Sequence, residues 1–96
     1  MNLSKTQQDV LLRMAAGARL ELCMGRGEGL PAKAFIDLWD ASPAQPVRNS
    51  TIEVLRNVGA IKEGEKYLTA IWRVTEYALT DAGREEASRI REIQET

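Results

Sequence analysis

The sequence contains no histidine and only one cysteine, Cys23. Histidine is the commonest general base and metal ligand near neutral pH, and a structural zinc site needs four Cys or His ligands. The fourteen acidic residues are scattered and form no Asp-rich loop of the kind that binds calcium. We therefore expect a protein that is not an enzyme and that uses no metal and no cofactor.

Long apolar runs and cysteine pairs are also missing. No stretch approaches the ~18 apolar residues of a membrane-spanning helix, and the first ten residues contain no signal-peptide core. A lone cysteine cannot form an intrachain disulfide, which is typical of proteins in a reducing compartment, so we expect a cytoplasmic protein. The 96 residues carry a formal net charge of -1 and indicate one domain, residues 1–96, with a small core.

Capping residues predict a helix near each end of the chain. Ser4 and Gln7 form a capping-box pattern, and Gly17 stands where a C-cap glycine belongs, which predicts a helix over 4–16. Thr80 is a favourable N-cap, and acidic residues follow it near the positive end of the helix dipole. This pattern predicts a closing helix over 80–94.

The segment after the first helix contains a predicted strand and then a stretch whose apolar residues fit two periodicities. Alternating apolar side chains predict a strand over 18–24. In residues 31–40, a proline near the start and the shared helical face of Phe35, Leu38 and Trp39 predict a helix. Apolar alternation through the same residues instead allows a second strand that pairs with 18–24. We favour the helix.

Residues 48–58, RNSTIEVLRNV, predict a further amphipathic helix. Its apolar positions recur at helical spacing and are expected to face the core: Ile52, Leu55 and Val58. Asn49 or Ser50 is the expected N-cap, and Gly59 ends the helix. Two strands, at about 60–67 and 71–79, follow because β-branched and aromatic residues are frequent there. The turn between them lies either at 63–65 or near 69–70.

The stretches STIEVLRNVGAI and YALTDAGR, with the order of predicted elements, resemble the winged-helix family of helix-turn-helix domains. The resemblance implies an α+β winged helix-turn-helix fold, with a three-helix core, a C-terminal β-hairpin wing and a closing helix. It also implies that Leu55 and Ile61 anchor the helix and the wing to the core. Gly59 would let the chain reverse into the wing, and Gly83 would allow close approach of a neighbouring backbone.

A second similarity is confined to the N-terminus. The stretch MNLSKTQQDVLLRMAAGARL is similar to the opening of the small bacterial YjhX-type family. Members of that family are described as toxins that act on a DNA topoisomerase. We take only the architecture from this similarity, namely a first helix that is followed by another helix and a wing.

The winged-helix resemblance implies that the helix over 48–58 enters the major groove of double-stranded DNA. Arginine can bond guanine through two hydrogen bonds, and asparagine can bond adenine in the same way. The candidate DNA-binding residues are Arg48, Asn49, Ser50, Glu53, Arg56 and Asn57 on the helix, and Lys62, Lys66 and Arg73 on the hairpin. A transcriptional regulator of bacterial or phage type is the expected function. The alternative interpretation is that these residues only cap and solvate the helix.

The low charge keeps a second function open. Glu63 and Glu65 lie among the hairpin lysines and oppose phosphate binding, so DNA binding would favour a homodimer that presents two such faces. The alternative function is a protein-interaction module, an inhibitor or adaptor of nucleic-acid machinery such as a phage-type antagonist of a host enzyme or nuclease defence. The candidate partner-interface residues are Trp72, Ile90 and Ile93. The two isoleucines either pair with a second copy or fold back on the core.

Overall fold

The structure is a computed structural model that describes residues 1–25, 35–39 and 45–95 of the chain. The described elements, in chain order, are α1 (Lys5–Ala15), β1 (Arg19–Gly25), β2 (Phe35–Trp39), β3 (Gln45–Pro46), α2 (Asn49–Asn57), β4 (Ile61–Leu68), β5 (Trp72–Leu79) and α3 (Asp81–Glu95). The architecture of this part of the chain is therefore mixed α+β. None of its helices is both long enough and apolar enough to cross a membrane.

The strands form one antiparallel sheet in the order β3-β2-β1-β5-β4. Leu20 on β1 pairs with Tyr77 on β5, and Ile61 on β4 pairs with Leu79. Cross-strand partners lie on the same face of a sheet, so these four buried side chains define the face that the helices cover. A β-bulge between Glu63 and Lys66 adds one residue to β4 and shifts its pairing with β5.

The core lies between this sheet face and the three helices. Leu11 on α1, Leu20 on β1 and Leu55 on α2 are fully buried, and Ala87 on α3 packs into the same cluster. Each helix contributes one apolar stripe, as its hydrophobic spacing requires. Burying an aliphatic side chain of this size stabilises a fold by about 1.5–3 kcal/mol, so this cluster carries much of the stability.

The prediction of a helix over 31–40 is wrong for the part that the structure describes. Residues 35–39 form β2, and Phe35–Trp39 pairs with β1 in antiparallel register. Residues 31–34 and 40 lie outside the described residues. The alternative prediction, a strand that pairs with 18–24, is the one observed. Pairing with β1 supplies backbone hydrogen bonds, and these outweigh the weak helical preference of the segment. The helices that pack around the core are therefore α1, α2 and α3.

Local chemistry explains the helix ends. The predicted capping box is present in α1: the Gln7 amide donates to Ser4 Oγ over 3.3 Å, and the Ser4 amide donates to Gln7 Oε1 over 2.9 Å. Gly17 follows with φ +108°, a conformation that favours glycine. The N-cap prediction for α2 is wrong, because Arg48 occupies that position and makes no side-chain capping bond.

The turn after α2 docks on the start of α3. Gly59 has φ +76° and reverses the chain, and the Thr80 amide donates to the carbonyl oxygen of Ala60 over 3.0 Å. Thr80 also caps α3, because its Oγ1 accepts from the Gly83 amide over 3.0 Å. A Cβ atom on Gly83 would lie only 2.0 Å from the Ala60 oxygen. Glycine at this position is therefore required by close backbone contact.

Two apolar residues differ from their predicted exposure. Val58 was expected to face the core but is 39% exposed, because α2 ends at Asn57 and the chain turns away at Val58. Ile90 was a candidate partner-interface residue but is only 4% exposed. It is covered by the chain itself and cannot contact a partner, whereas Ile93, at 60% exposure, lies on the outer part of α3.

Candidate functional site

The candidate site begins with the outer edge of α2. The inner side of this helix is formed by Thr51, Ile52 and Leu55, all of which are buried. The predicted DNA-binding residues of this segment are all exposed: Arg48, Asn49, Ser50, Glu53, Arg56 and Asn57. The buried stripe fixes the rotation of the helix about its axis, so the polar edge faces solvent. Glu53 stands among these residues and places a negative charge on the edge.

The β4–β5 hairpin divides the predicted hairpin cations between two faces. Lys66 pairs with Thr75, and Arg73 pairs with Leu68. Because side chains alternate along β5, Thr75 and Arg73 share the face of Tyr77, which is the face that carries the helices. Lys62 pairs with Ala78 and therefore lies on the opposite face. The structure therefore brings Lys66 and Arg73, but not Lys62, to the face of the sheet that carries α2.

Glu63 connects the two halves of the site. Its Oε1 lies 3.9 Å from Arg56 Nη2 on α2, and its Oε2 lies 3.1 Å from Lys66 Nζ on β4. All three side chains are at least 41% exposed, so these ion pairs add little to stability. Their effect is electrostatic, because one carboxylate partly neutralises two cations that would otherwise face a ligand together.

The local charge of the site is consequently low. Residues 48–79 contain five Lys or Arg residues and four Glu residues. The phosphate backbone of DNA attracts a protein through Lys and Arg residues at the contact surface. The number of phosphates that these residues neutralise sets how strongly binding depends on salt concentration. This surface is therefore suited to weak DNA binding by one copy of the chain, or to a ligand less charged than DNA.

Arg13 is a neighbouring residue that the sequence pattern did not reveal. It lies on α1 and borders a cleft of about 180 Å³ whose lining includes Arg48 and Thr51 at the start of α2. Its guanidinium donates to the side-chain oxygen of Gln45 and lies 3.6 Å from the Asp9 carboxylate. No periodicity links α1 to α2, so only the packing of the two helices could show this arrangement.

The free end of the hairpin displays apolar side chains. Tyr67, Leu68 and Ile71 are 42%, 62% and 49% exposed, and Met24 on β1 is 45% exposed beside them. Met24, Tyr67 and Leu68 border a groove of about 430 Å³ that Lys66 and Arg73 also line. Trp72, a predicted partner-interface residue, is half-buried next to this apolar end. The sequence pattern pointed to Trp72 but not to the four more exposed apolar residues.

A side-chain hydrogen bond ties the hairpin to the middle of the sheet. The Tyr67 hydroxyl donates to Glu21 Oε2 over 2.8 Å, although the two residues lie on β4 and β1. Glu21 is only 6% exposed, so this donor stabilises a carboxylate that is largely removed from water. The hydrogen bond to Glu21, helped by desolvation, raises the pKa of Tyr67. The bond holds the exposed end of the hairpin in a fixed position relative to β1.

No group of three or more Cys, Asp or Glu side chains comes together as a metal site would require within residues 1–25 and 45–94. Comparison with known proteins adds no assignment, since no protein-family model, no curated protein and no solved structure matches the chain.

Proposed function

We propose that the protein is a small DNA-binding protein of winged-helix type that acts as a transcriptional regulator. The observation that carries this proposal is the uncovered polar edge of α2 beside an antiparallel hairpin whose Lys66 and Arg73 lie on the same side. An exposed helix fits the major groove, and a neighbouring hairpin reaches the adjacent backbone. Although β2 replaces the helix expected before α2, these two elements remain.

Each part of this surface has a distinct role in the proposal. The first turn of α2 presents Asn49 and Ser50, whose side chains donate to phosphate or to base edges. Arg48, just before the helix, and Arg56, in its last turn, supply charge at its two ends. Double-stranded DNA is the proposed partner, and two copies of the chain would double the weak positive charge of one face.

The test is a fluorescence-anisotropy titration of labelled duplex DNA at several salt concentrations. Each phosphate contact contributes about -0.9 to the slope of log K against log salt concentration, so we expect a modest slope of about -2 to -4. Changing Arg48 and Arg56 together to Ala should reduce the magnitude of this slope by about 2. The matched control changes Arg84 and Arg91 to Ala, which removes the same charge from α3.

Two results contradict DNA binding by α2. One is a failure of the wild-type protein to retain duplex DNA at low salt. The other is an equal loss of affinity in both double variants, because that result would reflect net charge alone and not the edge of α2. Circular dichroism of each variant checks that the helices are intact.

The apolar end of the hairpin favours a second candidate function, a protein-interaction module in nucleic-acid machinery. Exposed Tyr67, Leu68 and Ile71 form the kind of apolar surface that marks a protein interface, and Lys66 and Arg73 border it. A partner segment with apolar and acidic residues would complement it. Affinity capture with wild-type protein and with a Leu68→Asp, Ile71→Asp variant tests this candidate. A partner that both proteins retain equally would contradict binding at this end.

A further inference from the structure

A third concave surface lies away from α2, between the end of α1, the end of β5 and α3. This half-open concavity has a volume of about 370 Å³, within the range of about 300–1,000 Å³ typical of small-molecule sites. Met14, Tyr77 and Leu79 contribute to its lining, and each is at least nine-tenths buried. Their burial fixes them in the core, so they form a preformed floor that exposes small patches of apolar surface, while most of the exposed lining is polar.

The α3 side of this pocket is polar and positively charged. Arg84, Ser88 and Arg91 line it, and their spacing of four and then three residues places them on one face of the helix. The two arginines are separated by about 10 Å along the helix axis, with Ser88 between them. Both side chains are long enough to bring their guanidinium groups toward a ligand near Ser88.

Neither arginine is held strongly by another part of the protein. Arg84 Nη1 lies 3.2 Å from Asp81 Oδ1, but the two side chains are 62% and 98% exposed, and such surface pairs contribute little. Arg91 is exposed and forms no ion pair with any residue in the ranges 1–25 and 45–94. Arg91 can therefore bind an anion directly, and Arg84 can do so by exchanging its exposed pair with Asp81 for the ligand.

The end of α1 does not occupy these donors. Its terminal carbonyl groups already accept backbone hydrogen bonds: the Gly17 amide donates to Met14 over 3.0 Å and the Ala18 amide donates to Arg13 over 2.9 Å. The chemistry of the pocket is thus an apolar floor on one side and two guanidinium groups with a hydroxyl on the other. Guanidinium groups bind carboxylates and phosphates through paired hydrogen bonds.

We propose that this pocket binds a small organic anion. Its carboxylate or phosphate group lies between Arg84 and Arg91 near Ser88, and its apolar part rests on Met14 and Leu79. None of the candidate DNA-binding residues lines the pocket, so this inference does not depend on the proposed function. It assigns the protein a small-molecule ligand in addition to a macromolecular partner.

The test is a titration followed by NMR amide shifts of the full chain, with four probes. Phenyl phosphate and benzoate combine an anionic group with an apolar ring, inorganic phosphate lacks the ring, and benzyl alcohol lacks the charge. We expect saturable shifts near Ser88 and Leu79 with at least one of the first two probes. Whichever of these binds more tightly identifies the preferred anionic group.

Matched variants separate this site from general anion attraction. Changing Arg84 and Arg91 together to Ala should weaken binding at least tenfold, whereas changing the exposed Lys5 and Arg19 to Ala removes the same charge elsewhere and should leave binding unchanged. The Arg84→Lys, Arg91→Lys variant keeps the charge but loses the paired hydrogen bonds, so this variant should bind the ligand with intermediate affinity.

Three results would overturn the inference. The first is the absence of saturable shifts with both ring-containing anions. The second is equal weakening in the two alanine double variants. The third is binding of inorganic phosphate or benzyl alcohol as tight as that of the organic anions, because the pocket would then not use charge and apolar surface together.

Discussion

The close contact between α3 and the turn after α2 gives the sharpest stability prediction. In Gly83→Ala the new Cβ would lie 2.0 Å from the oxygen and 2.9 Å from the carbonyl carbon of Ala60. A carbon atom normally lies about 3.3 Å or more from such an oxygen, so the start of α3 must move away by about 1 Å. Both contacting groups are backbone, and no side chain can rotate to relieve the overlap.

The magnitude follows from what this movement breaks. The Thr80 amide would lose its 3.0 Å bond to Ala60, and the Thr80 hydroxyl would lose its bond to the Gly59 carbonyl. Two such hydrogen bonds contribute about 1 kcal/mol each, and overpacking of a close contact costs a further 1–3 kcal/mol or so. We therefore expect a loss of about 3–5 kcal/mol, a large part of the roughly 5–15 kcal/mol by which a folded domain is stable.

Helix propensity makes the opposite prediction, which is why the experiment is decisive. Replacing Gly by Ala within a helix stabilises it by up to about 1 kcal/mol when nothing else changes. Urea unfolding followed by circular dichroism measures the difference, and the melting temperature should fall by about 15 °C or more. Ala82→Gly, at the exposed neighbouring position, is the matched control and should cost no more than about 1 kcal/mol. A Gly83→Ala protein as stable as the wild type would refute the docked turn.

Three further outcomes are expected. Glu63→Gln removes the carboxylate between an α2 arginine and a hairpin lysine, so duplex DNA should bind about threefold more tightly at low salt; anisotropy that shows unchanged or weaker binding would contradict the proposed surface. Tyr67→Phe leaves the carboxylate of Glu21 without its phenolic donor and should lower the free energy of unfolding in urea by about 1–2 kcal/mol, whereas an equally stable variant would show that water replaces this bond. The hydrogen bond from the Arg89 guanidinium lowers the pKa of buried Glu86. The ionised carboxylate therefore stabilises the fold at pH values above its ordinary pKa, and this stabilisation is lost as the pH falls through the lowered pKa of the folded protein. Glu86→Gln should therefore be less stable than the wild type at pH 7, and this difference should shrink as the pH falls below 4.5, the ordinary pKa of the group. A difference that stays constant over this range would contradict the assignment.

Residues 35–39 show where local pattern was insufficient. Their sequence fits both a helical face and a strand, and the choice depends on an available partner strand. β1 supplies that partner in antiparallel register, and no residue within 31–40 carries this information. Strand pairing joins residues distant in sequence, so a short ambiguous segment adopts the structure that its neighbours stabilise.

The hairpin cations show a second limit of the sequence. Strict alternation after Glu63 would place Lys66 on the face of Lys62, away from α2. The bulge between Glu63 and Lys66 adds one residue and moves Lys66 to the face of Arg73. The sequence therefore identified both lysines as candidates but could not show that only one of them lies beside α2.

Taken by itself, the sequence determined the elements whose signals are local. The capping box of α1, the buried stripe of α2 and the Thr80 cap of α3 each depend on residues within about one helical turn, and backbone hydrogen bonds at helix ends act over that range. Only the tertiary structure decided which side chains share a surface. It buried Ile90, joined α2 to the hairpin through Glu63 and set Arg84 and Arg91 over an apolar floor, because these contacts depend on how separate elements pack and on strand register.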